Sequence, residues 1–129
     1  MPAPEKRSDN IRGTDESIHY WLSKYHVKLV SPHEDCVPER NDVFVHHYTG
    51  SDGRPLYQLW LAVPDDGVDG QYKWKRVRPG ICHPDGGKLE KRVLYVGKDG
   101  KPRWLLNSSV RKLKREMMKH NEDAMDTSE

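Results

Sequence analysis

Between Tyr72 and Arg78 aromatic and cationic side chains crowd together: Tyr72, Lys73, Trp74, Lys75, Arg76 and Arg78. Flat rings beside ammonium and guanidinium groups suit nucleic acid, whose bases stack on aromatics while its phosphates meet cations. The basic character continues well past this run. From Gln71 to Lys119 there are 15 Lys or Arg and only four acids, Asp85, Glu90, Asp99 and Glu116. Residues 1–70 carry 7 bases and 12 acids, and residues 120–129 carry four acids with no Lys or Arg. A net charge of +2 therefore conceals a steep separation of charge along the chain. Such asymmetry bears on partners rather than on fold, and a polyanion is the first candidate. In that reading Tyr72 and Trp74 stack or pack. Lys73, Lys75, Arg76, Arg78, Lys91, Arg92, Arg103, Arg111, Lys112 and Arg115 meet phosphates.

Two other groupings carry less chemistry. His33 and Cys36 share one Pro-bounded loop, and Cys82 and His83 another. Zinc needs four converging N or S ligands, and neither the adjacent Cys82-His83 pair nor the absence of Cys-x-x-Cys fits the usual spacings. Free thiols are the expectation, and no metal or other cofactor is expected. His46 and His47 are consecutive on an expected strand, where side chains alternate, so they cannot share one catalytic site. No P-loop, nucleophile elbow or paired-carboxylate signature occurs. The expectation is a protein without catalysis.

Elements must position the basic face. Residues 1–13 are Pro-rich and charged, and read as a disordered lead-in. Thr14 suits a helix N-cap, with Asp15 and Glu16 at the positive end of the helix dipole. Ile18, Trp21, Leu22 and Tyr25 follow at i, i+3, i+4 and i+7, so an amphipathic helix is predicted there. Val43–Tyr48 and Leu56–Val63, separated by Thr49-Gly50-Ser51-Asp52-Gly53, predict a β-hairpin. Gln71–Arg78 predicts a third strand, with Tyr72, Trp74, Arg76 and Arg78 on one face and Lys73, Lys75 and Val77 on the other. Leu89–Val96 and Lys101–Leu106 predict a second hairpin around Gly97-Lys98-Asp99-Gly100. Asn107, Ser108 and Ser109 are N-cap residues ahead of Val110, Leu113 and Met117, so a basic amphipathic helix is predicted through His120. Asn121–Glu129 reads as a disordered acidic tail.

The resulting expectation is a single α+β domain over 14–120. It has an antiparallel sheet of about five strands flanked by an N-terminal and a C-terminal amphipathic helix. No apolar run approaches a bilayer span and no secretory h-region opens the chain, so it reads as intracellular, nuclear or cytoplasmic. The expected function is binding of DNA or RNA through residues 71–119, with no membrane partner. The rival is an interaction adaptor, a regulatory or host-interaction factor. It would use the basic surface, or an aromatic patch around Trp21 and Trp60, on an acidic protein.

Overall fold

A computed structural model describes residues 3–84, 89, 91–106 and 108–109, and it is built of β-structure. Among the described residues seven strands form two sheets: β1 (Glu5–Asn10), β2 (Ser17–Lys24), β3 (Val43–Thr49), β4 (Pro55–Pro64), β5 (Tyr72–Val77), β6 (Arg92–Val96) and β7 (Pro102–Leu106). The first five lie side by side in chain order, and β6 and β7 form a separate antiparallel hairpin. Every neighbouring pair in the large sheet is antiparallel except β2 and β3, which run parallel.

The expected α+β arrangement is therefore corrected. Where a helix was expected from Thr14, the chain makes the strand β2, and no helical element flanks the sheet among the described residues. Ile18, Trp21 and Leu22 do fall at helical spacing, but Ile18, Tyr20 and Leu22 also fall at the period of two. Because β2 is paired on both edges and packed on both faces, both periods find apolar residues, and periodicity cannot discriminate. Its β-branched and aromatic content then favours the pleated form. Glu5–Asn10, expected to precede the fold, pairs along its whole length with β2. The closing helix expected to run to His120 lies outside the described residues.

The two faces of the large sheet have different covers. On the first, Ile18, Tyr20, Val43, Val45, Leu59 and Leu61 pack with Leu89, Leu94 and Trp104 from the second sheet region. The chain passes from one sheet to the other just after β5. Gly80 donates to the Leu94 carbonyl, Leu94 donates to that of Ile81, and His83 donates to that of Arg92. Cys82 thereby bridges to Val93. His47 on β3 ties the sheets together from the other side, its Nε2 2.9 Å from the Gly100 carbonyl in the β6–β7 turn. Gly100 has φ of +79°, and a Cβ there would stand 2.9 Å from that same ring nitrogen, so glycine is required on both counts.

On the second face lie Phe44 and Trp60, with Trp21 and Trp74 beside them, and residues 25–42 run across it. A parallel pair such as β2–β3 requires a long crossover, usually helical. This one contains no helix, so side chains of the sheet satisfy its backbone. Gln58 accepts from the Leu29 N–H at 2.8 Å and donates to the Leu29 carbonyl at 3.0 Å. His46 Nε2 lies 2.8 Å from the Val27 carbonyl, and its Nδ1 lies 2.5 Å from the Ser23 hydroxyl. Both Gln58 and His46 are fully buried, where an unmade hydrogen bond would cost about 1–3 kcal/mol. Two buried polar residues on an apolar face are thus the anchors of the crossover.

The His46 geometry defines a tautomer. A carbonyl can only accept, so Nε2 carries the proton and Nδ1 accepts from Ser23. Burial, opposed by the Val27 hydrogen bond and aided by the neighbouring His47 charge, holds the ring below its ordinary pKa of 6.5. The unfolded chain therefore binds the proton more readily than the folded one. Stability is complete above the unfolded value and declines as pH falls from about 6.5 toward the lower folded value. Around the ring stand Tyr48, stacked at 6.1 Å, Ser23, the β4 partner Gln58, and no described acid in hydrogen-bond contact. Urea denaturation from pH 7.5 to 5.5 is expected to show this decline, and His46→Gln to flatten it while lowering stability throughout. An unchanged slope in the variant would assign the proton uptake elsewhere.

Candidate nucleic-acid interface

The basic segment opens on β5, an outer strand of the large sheet. Outer strands leave backbone N–H and C=O groups unpaired, and lysines on them discourage unwanted strand pairing. Lys73 and Lys75 are exposed and share one face of β5, whereas Tyr72, Trp74 and Arg76 share the other and are half-buried. Arg78, one residue past the strand, is exposed, and so is Lys91, one residue ahead of β6. These four cations reach solvent from the strand that enters the second sheet region and from the start of its first strand.

Of the two aromatics expected to stack on bases, Tyr72 is half-buried on β5 and Trp74 is engaged within the protein. The Trp74 indole N–H donates to the Cys36 carbonyl at 2.8 Å, and its ring meets Phe44 at 5.7 Å, inclined by 71°. Phe44 in turn meets Trp60 edge-on at 5.7 Å and 88°. Strand register explains this cluster. Lys6, Trp21, Phe44, Trp60 and Arg76 are successive cross-strand partners and form one row over all five strands. Cations close both ends of the row. The Lys6 ammonium stands 5.4 Å from the Trp21 ring, and the Arg76 guanidinium 5.2 Å from that of Trp60, within cation–π range. Arg76 is thus held over a ring of its own sheet.

Lys6 has a second task that sequence reading missed. Its ammonium lies 3.2 Å from Asp42, a nearly fully buried carboxylate that also accepts from the Glu39 N–H at 3.2 Å. Burial pushes the Asp42 carboxyl up, and Lys6 opposes that shift. Alternation in an isolated six-residue charged strand gives no hint of such an anchor, because the partner is 36 residues away.

The remaining candidates divide by environment. Arg92 is buried and donates from Nη1 to the Trp104 carbonyl at 3.2 Å, so it braces β6 against β7. Arg103 grips Asp99 through two hydrogen bonds, at 3.2 and 2.5 Å. Burial alone would raise the Asp99 carboxyl, but the hydrogen bonds from Arg103 and the Lys101 N–H, with the charges of both residues, together outweigh it and hold the group below the usual carboxylate range. Arg111, Lys112 and Arg115 lie outside the described residues. Lys73, Lys75, Arg78 and Lys91 are the candidates that combine exposure with freedom from a described acid.

The histidine and cysteine groupings are dispersed. Cys36 is buried among Phe44 and Trp60, where burial raises its thiol pKa, and Cys82 is an exposed free thiol in the second sheet region. His33 stands on the surface, its Nδ1 accepting from the Asp35 N–H at 3.1 Å. Among the described residues no three His, Cys, Asp or Glu side chains converge as a metal site would require. No protein-family model matches this chain, and neither a curated protein nor a solved structure matches it.

Proposed function

We propose that this chain is a small nucleic-acid-binding protein that tracks the phosphate backbone, without catalysis and without strong sequence specificity. The observation that carries the reading is the concentration of 15 cations against four acids in residues 71–119. Lys73, Lys75, Arg78 and Lys91 supply the contacts on the sheet side, and the basic run Arg111, Lys112, Lys114 and Arg115 adds to them from the sequence beyond it. With Trp74 packed into the sheet, binding rests on charge more than on stacking. Fluorescence anisotropy with duplex and single-stranded DNA and RNA, each over a salt series, tests this. The expected result is affinity that falls steeply with salt, with a log–log slope equivalent to about four or more released ions.

One observation favours a second reading. Among the described residues the outer edge of β5 has no strand partner and is flanked by Lys73 and Lys75, so an acidic protein segment could add to it as a strand. Failure of all four probes to bind at low salt would replace the first reading with this one.

A further inference from the structure

A cleft of about 360 Å3 opens between the end of β1 with the turn that follows it and β7. Ile18 and Leu105 contribute to an apolar wall, and Asp9, Arg12, Lys101 and Arg103 supply charge. Two of these groups are engaged. The Tyr20 hydroxyl donates to Asp9 Oδ2 at 2.5 Å, burial and then this bond raising the phenol to about 12, and Arg103 holds Asp99. Arg12 and Lys101 have no ion pair to a described acid. Counting Asp99 with the lining residues, three cations face two acids, so the cleft keeps a positive excess.

We infer that this cleft takes the phosphate of a single nucleotide, either free or at the end of a strand. This deepens the nucleic-acid reading and rests on it for the class of ligand. Three features lead there. Arg12 and Lys101 line the cleft from separate elements, and cations so placed suit an anion whose three oxygens accept from several directions, which a phosphate monoester provides and a planar carboxylate does not. The volume sits near the lower end of small-molecule clefts, roughly 300–1,000 Å3, which admits one nucleotide and excludes a length of strand. The apolar wall beside the charges gives a base or sugar a dry surface, and Asp9 Oδ1 remains able to accept from a hydroxyl or amine.

The test compares a labelled single-stranded oligonucleotide bearing a terminal phosphate, at one end or the other, with its hydroxyl-ended twin. Adenosine monophosphate is titrated separately, with backbone amide signals of Arg12 and Lys101 as the readout. The terminal phosphate is expected to tighten binding about tenfold through two charge-assisted contacts. That advantage should vanish in the Arg12→Gln/Lys101→Gln variant, whereas Lys73→Gln/Lys75→Gln should weaken both strands alike. Equal binding of the two strands, with no amide shifts on adding the mononucleotide, overturns the cleft inference and leaves backbone binding standing. Mononucleotide shifts at Arg12 and Lys101 without binding of either strand uphold the cleft for a free nucleotide and defeat the strand reading. No binding of any probe defeats both.

Discussion

Replacement of Trp60 by alanine is expected to lower the unfolding free energy by about 3–5 kcal/mol, a large part of the stability of a domain this size. Trp60 is 4% exposed and lies on β4, hydrogen-bonded on both sides by β3 and β5. A strand held on two edges cannot shift to close the cavity that the missing indole leaves. Phe44 loses its edge-on partner and Cys36 its packing, while the Arg76 guanidinium is left above an empty site. The crossover of residues 25–42 is packed against the same cluster, so its seat loosens as well. Urea denaturation monitored by circular dichroism measures the loss. Trp60→Phe, which keeps an aromatic ring in the row, should cost distinctly less and guards against a variant that fails to fold. A loss under about 1 kcal/mol in the alanine variant would mean that the second face of the sheet is not a true core.

Neutralising Lys73, Lys75, Arg78 and Lys91 together with glutamine is expected to weaken nucleic-acid binding by about two to three orders of magnitude at 0.1 M salt, and to reduce the salt slope by about four. Each phosphate contact releases roughly one counterion, and that release carries most of a non-specific affinity. All four residues are exposed, and their side chains pair with no described acid, so stability should change by less than about 0.5 kcal/mol for each. The measurement is anisotropy on the best-bound probe, paired with a denaturation curve of the variant. An unchanged slope would move the phosphate contacts off β5 and β6 and into the basic run beyond Leu106. As a contrast, Arg92→Gln should act on stability, because its guanidinium is buried against the Trp104 carbonyl.

Much of the strand content was legible in the residues. The β3–β4 hairpin, the alternation of β5 and the turn at Gly97–Gly100 follow from β-branched and aromatic runs bounded by glycine-rich turns. Local signals of this kind act over a few residues and survive in isolation. β1 and β2 escaped for opposite reasons. Glu5–Asn10 has almost no apolar content and becomes a strand only because β2 offers it hydrogen bonds and Asp42 draws in Lys6. β2 has apolar residues on both faces, which hides its period.

What the sequence by itself determined is the separation of charge, the positions of the turns and the pairing of the two hairpins. These depend on residue type and on neighbours a few positions away. The candidate site was legible as a list of cations but not as a surface. Lys73 and Arg76 belong to the same basic run, yet one reaches solvent and the other lies over Trp60; Arg78 is exposed while Arg92 is buried. That sorting, the placing of Trp74 against Cys36 and Phe44, and the use of His46 and Gln58 to hold a crossover without a helix all depend on partners distant in the chain. Only the tertiary structure decided them, because burial is a property of the packed sheet and not of any residue within it.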